Sequence, residues 1–149
     1  MRKLFLLLLL LPVAYGQDLE SKGTITVVIK NFRNDRGEIR VAIFNSKEGF
    51  PGNSKLSYKK VTATIKNRKA EVIFTDIPFG VYAIGVFHDE NMNGEMDSNL
   101  LKIPKEGYGA SNDARERFGP PKFEDAKFEL NADSFVNINV GYMKLGRFF

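Results

Sequence analysis

Short runs in which apolar and polar residues alternate, each ended by a turn sequence, recur along this chain of 149 residues. Residues 23–32 show the pattern clearly, because Ile25, Val27 and Ile29 alternate with polar or mixed neighbours. A period of two places such residues on one face of a strand. Similar runs occupy residues 38–44, 58–65, 69–74, 81–87, 125–130 and 134–142.

Seven runs of this kind, with no helical period among them, predict an all-β fold. Turn sequences such as Asn34–Gly37 and Asn67–Arg68 separate the runs. We therefore expect a single antiparallel β-sandwich of about seven strands, immunoglobulin-like or transthyretin-like, with one long loop. The first two strands are expected to form a hairpin around Asn34–Gly37.

The strand at residues 81–87 is expected to be central. Both of its alternating sets are apolar, which is typical of a strand covered on both faces. Residues 77–80 before it predict a turn, since proline fixes φ and glycine permits positive φ. Tyr82 fits two interpretations, a tyrosine corner that bonds nearby backbone or an ordinary core tyrosine, and we favour the second.

The N-terminus has the parts of a signal peptide. Arg2 and Lys3 precede an almost pure leucine run at residues 4–11, and small residues stand before a cleavage point after Gly16. The apolar run is too short to span a bilayer. We predict a signal peptide at residues 1–16, a β-sandwich domain at 17–143 and a C-terminal tail at 144–149.

Charge and cysteine content narrow the compartment and the partners. Removal of Arg2 and Lys3 lowers the formal net charge from +4 to +2, which gives no reason to expect nucleic acid binding or strong attraction to a membrane. The chain has no cysteine and hence no disulfide. An exported protein of this composition fits a bacterial periplasm or cell surface. We expect no membrane span after the signal peptide is removed.

The loop after the central strand carries oxygen-bearing side chains at alternate positions. It matches the calcium-loop pattern D-x-[DN]-x-[DN]-G at its first six positions, which end at Gly94. Alternate residues in such a tight loop turn their oxygens toward one point, and calcium takes six to eight oxygens. The candidate calcium ligands are Asp89, Asn91, Asn93, Glu95 and Asp97.

An EF-hand is excluded for this loop. Its twelfth position, where an EF-hand has a bidentate glutamate, is Leu100, and no amphipathic helix flanks the loop. The remaining match is to the looser calcium loops of extracellular domains, with modest affinity because two of the ligands are neutral amides. The alternative is a hairpin turn at Asn93–Gly94 held by hydrogen bonds from Asx side chains.

His88, the single histidine, stands at the end of the central strand. A hydrolase would need it beside paired carboxylates in a cleft. The chain has no G-x-S-x-G sequence, and one histidine without cysteine does not build a typical transition-metal site. We expect a structural histidine that bonds Asp89 or backbone, and no catalytic residue.

Residues 100–121 form the long loop. Loops of this length are uncommon inside compact domains and are often functional or flexible. Tyr108, Phe118 and Phe123 predict that the segment folds back on the sandwich. Its acidic side chains and those that follow are interpreted as a solvated surface: Glu106, Asp113, Glu116, Glu124 and Asp125.

Three stretches together resemble a known bacterial family. They read Phe-His-Asp-Glu-Asn-x-Asn-Gly-x-x-Asp-x-Asn at 87–99, Ile-Pro-x-Glu-Gly-Tyr-Gly-x-Ser-Asn at 103–112 and Phe-Gly-Pro-Pro-x-Phe-x-x-Ala-x-Phe at 118–128. The chain resembles the domain-of-unknown-function family 2141 over nearly all of the mature sequence. The resemblance implies an exported bacterial sandwich domain and supplies no catalytic residue. The chain departs from the family pattern at Met92 and at Leu100–Leu101.

These observations predict an exported, non-enzymatic β-sandwich module. We expect it to bind a protein or polysaccharide partner, with a calcium-stabilised Asp89 loop that orders residues 100–121. A structural surface or envelope subunit without metal is the alternative. A carboxylate-dependent hydrolase is the least favoured interpretation.

Overall fold

The computed structural model describes residues 21–116 and 119–143 of the chain. The strands are β1 (Lys22–Lys30), β2 (Glu38–Phe44), β3 (Lys59–Thr64), β4 (Lys69–Pro78), β5 (Gly80–Asp89), β6 (Tyr108–Ala110), β7 (Phe128–Leu130) and β8 (Ser134–Asn139). A single helical turn, α1, spans Phe123–Ala126, and 3₁₀ turns span Ser54–Leu56 and Ser111–Asp113. The predicted signal peptide at 1–16 and the predicted tail at 144–149 lie outside the described residues.

The strands form two sheets that pack face to face. β4, β1 and β8 make the smaller sheet, and β3, β2, β5 and β6 follow one another in the larger sheet, with β7 also paired to β5. The inward faces meet in one apolar core, in which Ile25, Ile29, Ile43 and Ile84 are fully buried. The predicted all-β sandwich is confirmed. None of the helices in the described ranges is long and apolar enough to cross a membrane.

The predicted hairpin between the first two strands is wrong. β1 pairs with β4 and β8, whereas β2 pairs with β3 and β5, so the chain changes sheet between these strands. β1 and β8 also run parallel, so the sandwich is not purely antiparallel. Alternation along one strand defines its faces, but the partner of each strand depends on contacts between distant parts of the chain.

The predicted strand at residues 125–130 is shorter than expected. Phe123–Ala126 turns as α1, and only Phe128–Leu130 pairs with β5. The hydroxyl of Ser111, fully buried, donates a hydrogen bond of 2.5 Å to the carbonyl of Ala126, which holds this turn against the sheet. The long loop likewise contains regular structure, because β6 lies within it and pairs with β5.

β5 occupies the centre of the larger sheet, as predicted. β2 pairs with one of its edges and β6 with the other, and residues 82–86 of both faces are buried. The hydroxyl of Tyr82, a residue 4% exposed, donates a 2.8 Å hydrogen bond to the carbonyl of Pro78. Tyr82 is therefore a core residue that also makes the tyrosine-corner bond, the interpretation we favoured less.

Candidate functional site

Asp89 ends β5 and begins the predicted calcium loop. Its buried carboxylate accepts hydrogen bonds from Nε of Arg40 at 2.6 Å, from the backbone N–H of Gly94 at 2.8 Å and from that of Asn93 at 3.1 Å. Gly94 has a φ of +85°, in the left-handed region that glycine enters without strain. The Asp89 side chain therefore fastens the first turn of the loop to β2.

The side chains of Asn91, Asn93 and Asp97 gather beside this turn. The amide nitrogens of Asn91 and Asn93 lie 2.7 and 3.2 Å from the two carboxylate oxygens of Asp97. The Oδ1 atoms of the same asparagines accept the backbone N–H groups of Asn93 and Glu95. These are Asx hydrogen bonds of the kind that the alternative interpretation expected.

The five predicted ligands are thus divided. Asn91, Asn93 and Asp97 contact one another, Glu95 is exposed, and the Asp89 carboxylate faces Arg40. In the described residues, no three side chains of His, Cys, Asp or Glu are grouped as a metal site. Calcium binding stays a prediction, and it would require the amide groups of Asn91 and Asn93 to turn their oxygens toward the ion.

Glu106 corrects the expectation of a solvated acid in the long loop. It is only 4% exposed. Its two carboxylate oxygens accept the backbone N–H groups of Glu90 at 2.9 Å and Asp97 at 3.0 Å. One side chain therefore joins the start of the loop to its far side. The sequence offered only a weak signal for this role, the Glu-Gly-Tyr-Gly run that leads into β6.

A small projecting hairpin follows the loop, and we call residues 97–105 the tip hairpin. The backbone N–H of Lys105 donates to the carbonyl of Asp97 at 2.8 Å, and Ser98 bridges Pro104. At the turn, Oδ1 of Asn99 accepts the backbone N–H groups of residues 101 and 103, at 2.9 and 3.0 Å. The side-chain amide of Asn99 thus supports a turn that ends in exposed residues.

Two adjacent leucines occupy the end of the tip hairpin. Leu100 has a relative exposure of 103% and Leu101 one of 74%. At both positions the sequence departs from the pattern of the family that it resembles. The sequence located these residues in a loop but did not indicate that hydrogen bonds would hold them outward.

His88 lies in the core and has both ring nitrogens engaged. Its Nε2 atom is 2.6 Å from the carbonyl oxygen of Arg36, and its Nδ1 atom is 2.8 Å from the hydroxyl of Tyr142. A carbonyl only accepts, so Nε2 carries the proton and, in the neutral ring, Nδ1 accepts from Tyr142. The ring of Phe32 packs edge-on at 5.2 Å. The expected bond to backbone is present, and the imidazole is fully buried.

Comparison with known protein families identifies the family to which this chain is related. The family described as an uncharacterized protein conserved in bacteria (DUF2141) matches residues 27–138. The chain belongs to this family. The match runs from β1 into β8 and includes the Asp89 loop, the tip hairpin and Glu106. No curated protein and no solved structure matches the chain.

In this DUF2141 chain, an ion-pair cluster lies beside His88. Glu90 forms ion pairs with Arg33 and Arg36 and accepts a 3.0 Å hydrogen bond from the side-chain amide of Asn34. Burial raises the pKa of Glu90, whereas the hydrogen bonds from Asn34 and Arg33 and the nearby positive charges lower it. The lowering effects together are larger, so the net pKa is below the usual 4.5. The cluster joins the turn after β1 to the start of the loop after β5.

Proposed function

We propose that this DUF2141 domain is an exported, non-enzymatic binding module that presents its tip hairpin to a protein partner. The observation that carries this proposal is the pair of exposed side chains, Leu100 and Leu101, on a turn held by Asn99. Exposed single leucines are common on proteins, but adjacent ones at the end of a supported turn form a compact apolar contact.

The sequence predicts either a protein or a polysaccharide partner, and the apolar end of the tip hairpin favours a protein. Leucine side chains offer an apolar surface without hydrogen-bonding groups, whereas a sugar polymer presents hydroxyl groups that need polar partners. Met92, with a relative exposure of 64%, adds a further apolar side chain in the preceding loop. An adduct with a polysaccharide would therefore contradict the protein partner.

Calcium would serve this module by stiffening the loop from which the tip hairpin projects. Ligand that binds only the folded state raises its stability, by about 2.7 kcal/mol at a hundredfold excess over Kd. We expect the melting temperature to rise in calcium, but not in magnesium or chelator. Asp97→Asn should abolish the rise, and Asp76→Asn, at an exposed residue of β4, should preserve it. An equal shift for both variants would remove calcium from the proposal.

The absence of enzymatic activity is part of the same proposal. It draws support from His88, whose ring is buried and bonded at both nitrogens, and from Asp89, whose carboxylate is used by three donors. The structural-subunit alternative draws support from β3, which pairs only with β2 in the described ranges and leaves an outer strand edge.

Site-specific photocrosslinking in cells that produce the protein tests the proposed function. A photoreactive residue placed at Leu101 should form an adduct with one protein species in the exported fraction. The control position is Ile73, an apolar residue of β4 that is 56% exposed on the opposite sheet. Equal adducts at both positions, an adduct with polysaccharide alone, or a wholly cytoplasmic protein would contradict the proposal.

A further inference from the structure

An open groove lies on the outer face of the larger sheet, away from the sandwich core. Its floor includes a row of side chains across four strands, because Thr62, Arg40, Phe87 and Tyr108 are successive partners in the strand register. The next row carries Lys60, Ala42 and Gly85. The groove has a volume of about 950 Å³, within the usual range for small-molecule sites.

The shape of the groove follows from small residues in its floor. Ala42 and Gly85 have no side chain beyond Cβ, so little projects from the sheet at this point. Pro51 packs over Gly85, where an added Cβ would lie 3.0 Å from the Cβ of Pro51. At the neighbouring end of the same face, the rings of Phe44, Phe50 and Phe123 pack edge to face and fill the space. One part of the face is therefore plugged by aromatic rings and the other is open.

The walls of the groove are predominantly apolar. Side chains from the tip hairpin and its approach form one wall, and proline residues and a methionine from other loops complete the boundary. Apolar lining residues besides Phe87 and Tyr108 include Met96, Ile103, Pro104, Pro51, Pro120 and Met143. Such a lining suits a hydrocarbon chain better than a sugar.

The charges around the groove are unevenly balanced. Arg40 is neutralised by ion pairs with Asp89 and Glu38. Lys60 and Lys102 also line the groove, and neither forms an ion pair with a described residue. Glu95 is the one acidic side chain among the lining residues. Two lysines against one glutamate leave an excess of positive charge beside the apolar side chains of the groove.

We propose that this groove binds an amphipathic anion with a single acyl chain, a long-chain carboxylate. The chain lies over Phe87 and Tyr108, and the carboxylate lies toward Lys60 and Lys102. The groove shares the tip hairpin with the partner contact but does not include Leu100 or Leu101, so this ligand goes beyond the proposed binding function. No covalent step is involved.

Displacement of a neutral fluorescent probe, N-phenyl-1-naphthylamine, tests the site in the purified protein. Laurate below its micelle concentration should displace the probe, dodecanol should displace it more weakly, and butyrate should not. Thr62→Trp places an indole in the floor and should weaken laurate binding at least about tenfold, a loss of about 1.4 kcal/mol. Thr64→Trp, two residues along the same strand face and outside the lining, is the matched control.

Charge reversal tests the head group. Lys60→Glu with Lys102→Glu should weaken laurate about tenfold at low salt and leave dodecanol unchanged. Lys66→Glu with Lys69→Glu changes the net charge equally at the exposed β3–β4 turn and should leave both ligands unchanged. Equal laurate and dodecanol affinities would overturn the anionic head group.

Two further outcomes separate this inference from the proposed function. Failure of probe and laurate to bind, or equal binding to Thr62→Trp and Thr64→Trp, would overturn the groove site. Photocrosslinking at Leu101 would still report on the partner contact in either case. Loss of the Leu101 adduct with intact laurate binding would instead contradict only the proposed function.

Discussion

The Nε atom of Arg40 lies 2.6 Å from Oδ2 of Asp89. Arg40 stands in the middle of β2, on the outer face of the larger sheet, and Asp89 is the buried last residue of β5. The same aspartate holds the first turn of the predicted calcium loop through the backbone of Asn93 and Gly94. One ion pair therefore connects the floor of the groove to the loop that leads to the tip hairpin.

Arg40→Met should lower the free energy of unfolding by about 3 kcal/mol, because it leaves the Asp89 carboxylate buried without its charged partner. The matched control is Arg36→Met, which removes a 76% exposed side chain that pairs with Glu90. The control should cost less than about 1 kcal/mol. Urea denaturation measures the free energy of unfolding of both variants. Equal decreases would show that the Arg40–Asp89 pair contributes no more to stability than the exposed Arg36–Glu90 pair.

Glu106→Gln should lower the free energy of unfolding by about 2 kcal/mol. A glutamine keeps one acceptor oxygen but turns an N–H₂ group toward one of the two backbone N–H donors, at Glu90 or Asp97. Glu95→Gln makes the same chemical change at an exposed position of the loop and should alter stability by less than about 0.5 kcal/mol. If the two variants unfold at the same urea concentration, Glu106 does not support the loop.

The sequence predicted the faces of the strands because burial imposes a period of two on each strand separately. Ile25, Val27 and Ile29 were placed on one face of the first strand, and all three are fully buried. Strand partners could not be predicted in the same way, since β1 pairs with β4 and β8 through contacts far apart in the chain. β6 escaped detection because it has three residues, one of which is Gly109, and no alternation to detect.

The candidate site was predicted less completely than the fold. The spacing of Asp89 and Gly94 indicated a tight turn, and the carboxylate does accept the Gly94 N–H. The sequence did not indicate that Arg40, remote in the chain, would neutralise Asp89. Nor did it indicate the burial of Glu106. An acidic residue in a loop is usually exposed to solvent, and the backbone N–H groups that bind Glu106 are known only from the structure.

The low pKa of Glu90 predicts a loss of stability in acid. The folded state holds this carboxylate charged at pH values where the unfolded chain, with a pKa near 4.5, already binds a proton. Its contribution is therefore complete above pH 4.5 and decreases as the pH falls through the lower folded pKa. Glu90→Gln removes this contribution, so the difference in free energy of unfolding between the two proteins should shrink from pH 7 to pH 3.

Urea denaturation at several pH values checks the Glu90 prediction. Glu71→Gln, at an exposed residue of β4, serves as the control and should follow the parent protein at every pH. A constant difference between the parent and Glu90→Gln across the acid range would mean that the ion pairs with Arg33 and Arg36 do not favour the charged carboxylate.

Gly107→Ala should destabilise the join between the tip hairpin and the C-terminal segment. An added Cβ at Gly107 would lie 2.4 Å from Cε1 of Tyr142 and 2.5 Å from Cγ1 of Val140. Relief of such overlap requires Tyr142 to move, and its hydroxyl would then leave Nδ1 of His88. Overpacking of this kind costs about 1–3 kcal/mol.

Gly52→Ala is the matched control for this last variant, because nothing lies within 4 Å of a Cβ at Gly52. It should change the free energy of unfolding by less than about 0.5 kcal/mol. Beyond stability, the ring resonances of His88 in an NMR spectrum should shift in Gly107→Ala and stay fixed in Gly52→Ala, since only the first substitution displaces Tyr142. A destabilised Gly107→Ala with unchanged His88 resonances would place the strain elsewhere than at Tyr142.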